Sequence, residues 1–205
     1  MTTYHSSDWH LGHERIIELC DRPFKTVQHM NYSIIERCND IVTERDTLVL
    51  HGDNVMGTFA ENVKLFGLVR AGKIILLPGN HDRLSLAHKR SDASRREAAF
   101  AFKQVLGDRV RVLIDQKPSV WEREINGHKV LLSHYPYAGD YTEKDRHVEL
   151  RPVDDGLPLI HGHVHELWRE NGRQLNVGVD VWDFAPVSQH AITLWLEGLP
   201  VQATT

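Results

Sequence analysis

The chain has little cysteine, no long apolar run and no surplus of positive charge. Cys20 and Cys38 form no CxxC pair and no disulfide framework, so a reduced, intracellular setting is expected. No segment approaches the roughly 18 consecutive apolar residues of a membrane span, so no membrane association is expected. Residues Met1 to Asp8 lack a basic stretch followed by an apolar one, so no secretory signal is read and the expected location is the cytoplasm. The formal net charge of −4 and the pI near 6.4 argue against stable electrostatic binding of long nucleic acid. A small nucleotide or phosphate ester stays open, because a bound metal can supply positive charge locally.

What is abundant is histidine, with 14 in 205 residues and none of them in a tag-like run. The length fits one domain over 1–205 with a sizeable core. Several of the histidines follow short apolar runs, and those runs set the reading of the chain. Residues 2–7 are a strand candidate ending in Asp8-Trp9-His10, with His13 close behind. A short helix is expected over 14–19, broken by Arg22-Pro23-Phe24, and a longer amphipathic one over Val27 to Val42 from its three- and four-residue apolar spacing. Thr47 to Leu50 is a buried strand delivering His51-Gly52-Asp53-Asn54, and residues 60–71 read as a helix. Lys73 to Leu77 is the next buried strand, and Gly79-Asn80-His81-Asp82 stands at its end. Strand–helix–strand spacing of this kind suits right-handed parallel crossovers.

The basic groups His88-Lys89-Arg90 and Arg95-Arg96 read as solvated faces. Ser94 is the expected cap of a helix that carries Ala98, Phe102, Val105 and Leu106 and closes at Gly107. Val110 to Ile114 is a short strand, and Asn126-Gly127 marks a hairpin whose second strand delivers Ser133-His134. Residues 137–156 are polar and read as an irregular loop that borders the site. Leu157 to Ile160 delivers His161-Gly162-His163-Val164-His165, a hairpin is centred on Asn171-Gly172, and Ala191 to Leu196 is the expected last strand.

Five strand ends thus carry Asp8 with His10, Asp53, Asn80 with His81, His134, and His163 with His165. Open α/β sheets place their sites at the carboxyl ends of strands. A donor set of carboxylate, imidazole and amide without thiolate suits Mn²⁺, Fe or Zn²⁺ and not a cysteine-built structural zinc site.

The order Asp8-Trp9-His10, Gly52-Asp53, Gly79-Asn80-His81-Asp82, His134, Gly162-His163-Val164-His165 resembles that of the calcineurin-like metallophosphoesterases. The stretches Ser7 to Phe24 and Asn176 to Trp182 are similar to a compact subfamily found in bacteria and phages, and the resemblance covers nearly the whole chain. It implies a four-layer α-β-β-α sandwich of two mixed sheets flanked by helices; pattern alone supports only a mixed α/β domain. It also implies two divalent or transition metal ions, Mn²⁺ favoured and Fe or Zn possible. One would be held by Asp8, His10, Asp53 and His165, the other by Asp53, Asn80, His134 and His163. Asp53 would bridge them with two free oxygens. The implied activity is that of a phosphodiesterase acting on small phosphodiesters such as cyclic nucleotides, through a metal-bridging hydroxide. In it His81 protonates the leaving group, Asn80 helps to neutralise charge, and His13 and Arg83 contact substrate. Asp82 either orients this region or caps its backbone. Asn54 departs from the aromatic that compact relatives carry after Gly-Asp, and this is expected to alter the pocket wall. The alternatives are a phosphomonoesterase or phosphatase, a nuclease, or a metal-binding scaffold without activity. The protein phosphatases of the superfamily carry GDxxxRG and GNHE, where this chain has Gly52-Asp53-Asn54-Val55-Met56-Gly57 and Asp82.

Overall fold

The computed structural model describes residues 1–87, 90–113, 117–140 and 144–200. In chain order these form β1 (Thr3–Ser6), α1 (Ile16–Leu19), α2 (Val27–Ile41), β2 (Thr47–Leu50), α3 (Phe59–Asn62), β3 (Lys73–Leu76), α4 (Asp92–Leu106) and β4 (Val110–Val112). There follow β5 (Val120–Ile125), β6 (His128–Ser133), β7 (Leu159–His161), β8 (Glu170–Asn171), β9 (Gln174–Asn176), β10 (Val187–Ser188) and α5 (Gln189–Glu197).

The strands make two mixed five-stranded sheets. The first has the order β10-β1-β2-β3-β4, with β1 to β4 parallel and β10 antiparallel at the edge. The second has the order β5-β6-β7-β9-β8, with a hairpin at each edge and parallel pairing between. The two-residue period of a strand divides the core. Leu48, Leu50, Ile74 and Leu76 face outward to Met30, Ile34 and Cys38 of α2 and Ala98 and Phe102 of α4. Val49 faces the other way, into a layer between the sheets with Val130, Leu132, Ile160 and Leu175, to which α5 adds Ile192 and Leu196. This is the mixed α/β architecture of two sheets and helices expected from the sequence.

Local details differ from expectation for identifiable reasons. Residues 191–196 are helical, not a strand. Ile192, Leu194 and Leu196 alternate as a strand would, yet Ile192 and Leu196 are buried while Leu194 is 56% exposed. The same residues satisfy the four-residue spacing of a helix, and Ser188 settles the matter by accepting the Ala191 N–H on its Oγ at 3.2 Å. The helix expected over 60–71 is one α turn followed by a 3-10 segment, Val63–Leu68. It buries Val63 and Phe66, whose three-residue spacing places them on one side of a 3-10 helix. The turn of the β8–β9 hairpin is Gly172-Arg173, one residue later than expected, because Asn171 pairs with Gln174. Val110–Val112 forms β4, and Ile114, like His88 and Lys89, lies outside the described residues.

The cap of α4 is Ser91, not Ser94: the Ser91 Oγ accepts the Ser94 N–H at 3.2 Å. Ser91→Ala is therefore expected to lower stability by about 1 kcal/mol, whereas Ser94→Ala is near neutral. Urea midpoints of the two variants measure the difference.

Candidate metal centre

β1, β2 and β3 end in register, and the chain turns sharply after each. Asp8, His10 and Asp53 take left-handed backbone conformations with φ of 59°, 50° and 53°, and His163 and His165 beyond β7 do the same at 73° and 46°. Such conformations cost a side-chain-bearing residue about 1–3 kcal/mol each and persist only where the surroundings impose them. Here backbone bonds between the loops do so: Asp8 N–H to Gly52 O at 3.1 Å, His10 N–H to Asp53 O at 2.9 Å, and Gly162 N–H to His134 O at 3.1 Å. The glycines allow the loops to touch. A Cβ on Gly79 would lie 2.3 Å from Asp53 Oδ1, and one on Gly162 would lie 2.4 Å from Asp8 Oδ2. No other residue fits either place.

The side chains converge in two groups that meet at Asp53. In the first, His165 Nε2 lies 3.7 Å from Asp8 Oδ1, and His10 Nε2 lies 3.7 Å from Asp53 Oδ2. In the second, Asn80 Oδ1 lies 2.9 Å from His163 Nδ1 and 3.0 Å from His134 Nε2, which is itself 3.4 Å from Asp53 Oδ2. Asp53 does not keep both oxygens free: Oδ1 accepts the His81 N–H at 2.7 Å, and Oδ2 alone faces both groups. Asp8 Oδ1 and both ring nitrogens of His10 are buried without a hydrogen-bond partner, and unmet buried polar atoms cost about 1–3 kcal/mol apiece. A cation between these hard and borderline donors removes that cost, so the residues present fit one. Asp8, His10 and His165, and likewise Asp8, Asp53 and His134, bring their donor atoms within 4.8 Å of one another.

A surrounding set of hydrogen bonds decides which lone pairs face inward. His134 Nδ1 donates to the His51 carbonyl at 2.8 Å, which leaves Nε2 for the site. His163 Nε2 donates to Asp140 Oδ2 at 3.2 Å, which leaves Nδ1. Asp140 is held in turn by Arg146 at 2.7 Å and Arg151 at 3.0 Å. His165 Nδ1 lies 3.1 Å from Cys20 Sγ and 3.7 Å from Asp180 Oδ2. Arg22 grips Asp180 with two bonds of 2.7 and 2.8 Å and donates to the Asp8 carbonyl at 2.8 Å, bracing the first loop. Asp82 accepts from Asn54 N, Asn54 Nδ2 and Gly79 N, each at 3.0 Å, and so stitches the second loop to the third. Asn54 is thereby buried against Asp82.

Asp140, Arg22 and Asp180 carried no role in the sequence reading. Asp140 sits 23 positions from His163 within a polar loop, and no local pattern distinguishes it from its neighbours. His81 lies beside this centre, its ring 5.6 Å from that of His10, and the His13 ring lies 5.4 Å from that of His10, tilted at 46°, and 6.4 Å from that of His81. Arg83 is exposed, with its guanidinium 4.9 Å from the centre of the Phe59 ring.

Electrostatics bind the two groups together. Burial opposes ionisation of Asp53, but the charge and hydrogen bond of His134, followed by His81 and His10, hold its carboxyl well below the usual range. Burial likewise opposes the His134 imidazolium, and Asp53, then Asp8, overcome it and raise the pKa to about 9. Burial and the Asp53 charge push Asp82 up to about 7.

A sequence model of the calcineurin-like phosphoesterases matches residues 1–170. The chain belongs to that family. The metal-dependent hydrolysis of phosphoesters that the family performs accords with the donor set of the centre. This phosphoesterase is 34% identical over 190 residues to the gene 66 protein of Mycobacterium phage L5, covering 88% of this chain and 87% of the phage protein. It is 27% identical over 202 residues to an uncharacterized protein of Methanocaldococcus jannaschii, covering 95% and 90%. A crystal structure of a protein of unknown function from Aquifex aeolicus is also similar, with a TM-score of 0.67 and 26% identity, covering 95% of this chain and 98% of the other. No helix among the described residues is long and apolar enough to cross a membrane.

Two outcomes follow for the phosphoesterase. Without metal, the His134 imidazolium contributes stability that is whole below its ordinary pKa of 6.5 and lost as the pH rises through about 9. Unfolding of chelator-treated protein between pH 6 and 10 reads this loss, and Asp53→Asn flattens it. Asp140→Asn removes the charge that orients His163 and is expected to weaken Mn²⁺ affinity 10- to 100-fold by titration calorimetry.

Proposed function

We propose that the protein is a dinuclear metal-dependent phosphodiesterase acting on small phosphodiesters such as cyclic nucleotides, with Mn²⁺ the favoured metal and Fe or Zn²⁺ alternatives. The observation that carries this reading is the position of Asp53 Oδ2 between two groups of donors, 3.7 Å from His10 Nε2 and 3.4 Å from His134 Nε2. Asp8, His10, His165 and Asp53 would hold one ion, and Asp53, Asn80, His134 and His163 the other. Two such ions, when bound, clamp a phosphoryl group and acidify water for in-line attack.

The remaining chemistry belongs to the chain. Asn80 turns its side-chain Oδ1 toward His134 and His163, and in this reading its amide helps to orient the phosphoryl oxygens. His81 is anchored at its backbone by Asp53 Oδ1, and its imidazole carries the proton passed to the departing alkoxide. The Asp82 bonds to Gly79 and Asn54 hold that backbone in place. In this reading His13, whose ring lies 5.4 Å from that of His10, and Arg83 contact the substrate. The diester preference is supported by the arginines around the centre. Arg22 is paired with Asp180, Arg146 and Arg151 with Asp140, and Arg83 is stacked on Phe59. Each of these four is thereby already engaged, by a carboxylate or by an aromatic ring.

A panel of p-nitrophenyl esters and cyclic nucleotides with added Mn²⁺ tests the substrate class. Bis(p-nitrophenyl) phosphate and cyclic nucleotides are expected to turn over faster than p-nitrophenyl phosphate, and the reverse order would favour a phosphomonoesterase. His81→Ala is expected to retain both metals and lose 10²–10⁴-fold in turnover on a substrate with a poor leaving group. Asp53→Ala is expected to lose metal as well. Near-normal activity of His81→Ala on such a substrate would remove His81 from the acid role.

A further inference from the structure

A thiol stands behind His165, where His134 has a carbonyl and His163 a carboxylate. Cys20 follows α1 directly, and its N–H bonds to the Ile16 carbonyl at 3.1 Å. Its side chain is 9% exposed, with Sγ 3.1 Å from His165 Nδ1. Asp180 Oδ2 is 3.7 Å from the same nitrogen, too far for a hydrogen bond. Arg22 holds both Asp180 oxygens, at 2.7 and 2.8 Å. The sulfur is therefore the nearer partner of Nδ1.

The direction of that contact follows from where the thiol hydrogen goes. A thiol has one hydrogen to donate and a sulfur that accepts. In Cys20 the hydrogen goes to the side chain of Glu166, which is exposed and, as a carboxylate, only accepts. Sγ then meets His165 Nδ1 with a lone pair, so Nδ1 carries the ring hydrogen and Nε2 is left bare. Nε2 faces Asp8 Oδ1 at 3.7 Å, an oxygen that is buried without a hydrogen-bond partner. Two lone pairs facing each other across such a gap are joined by a cation. Cys20, His165, Glu166 and Asp180 also bring donor atoms within 4.8 Å of one another. The Arg22 guanidinium on Asp180 stands against a separate ion among them.

We propose that Cys20 is a positioning residue of the metal centre. Its sulfur accepts the His165 Nδ1–H, its own hydrogen is drawn off by Glu166, and the chain Glu166–Cys20–His165 aims Nε2 at the first ion. The inference rests on the reading that His165 holds that ion. Cys20 thus does for the first ion what Asp140 does for the second, with a neutral sulfur in place of a carboxylate.

Titration calorimetry with Mn²⁺ on full-length Cys20→Ser, Cys20→Ala and Glu166→Ala tests this, with circular dichroism to check each fold. A serine hydroxyl accepts from Nδ1 and donates to Glu166, so Cys20→Ser is expected to keep both binding events near those of the wild type. Cys20→Ala can do neither and is expected to weaken one event 10- to 100-fold. That event is expected to be the one that Asp140→Asn leaves unchanged. Glu166→Ala, at an exposed position, frees the thiol hydrogen to turn to Nδ1 and is expected to weaken the same event about ten-fold. Equal losses in Cys20→Ser and Cys20→Ala would mean that the sulfur only fills space, and would overturn the proposal. Unchanged affinity in folded Cys20→Ala and Glu166→Ala, or loss of the event that Asp140→Asn weakens, would overturn it too. Any of these results beside two events in the wild type leaves the dinuclear reading standing. Fewer than two events in the wild type would overturn that reading and this inference with it.

Discussion

The loops that leave β1, β2 and β3 touch one another backbone to backbone, and everything distinctive about this protein depends on that contact. Gly79 lies so close to Asp53 that a side chain there would occupy the space of the Asp53 carboxylate, and Gly52 takes φ of 96° at the same junction. Parallel pairing of three short strands brings their carboxyl ends to one level, and the core of leucine, isoleucine and valine beneath them supplies the stability that five left-handed residues consume. Without the close approach, the seven expected ligands would be spread over separate loops. With it, one oxygen of Asp53 faces two groups of donors at once.

The outer hydrogen bonds turn that proximity into direction. An imidazole offers a lone pair at only one nitrogen, and the partner of the other nitrogen decides which. The His51 carbonyl does this for His134 and Asp140 for His163, while Cys20 and Asp180 lie against His165. The braces come from every part of the chain: Arg22 from the segment after α1, Asp140 from the loop after β6, Asp180 from the segment after β9. Asp140, with Arg146 and Arg151 behind it, therefore supports the site from behind His163.

The strands and most of the site were legible in the sequence because buried parallel strands must be apolar, and their polar ends stand out against that background. The order of the motifs at those ends resembles that of the calcineurin-like phosphoesterases, and the structure brings Asp8, His10, Asp53, Asn80, His134, His163 and His165 together. What stayed hidden depended on packing. Leu194 could not be told from a strand residue until its neighbours Ile192 and Leu196 were seen buried and it was not. Ser91 and Ser94 are both good caps, and only the start of the helix distinguishes them. Asp140 and Arg22 act through side chains folded back over long separations, which no periodicity records. The engagement of Asp53 Oδ1 by the His81 N–H was hidden for the same reason.

The central claim is that Asp53 joins two metal ions into one centre. Electron paramagnetic resonance of protein loaded with Mn²⁺, combined with metal analysis of the same sample, tests it most directly. The account predicts two Mn²⁺ per chain with the multiline signal of an exchange-coupled pair, as expected for ions roughly 3.5–4 Å apart. One tightly bound Mn²⁺ per chain, or two with the six-line spectra of isolated ions, would contradict it.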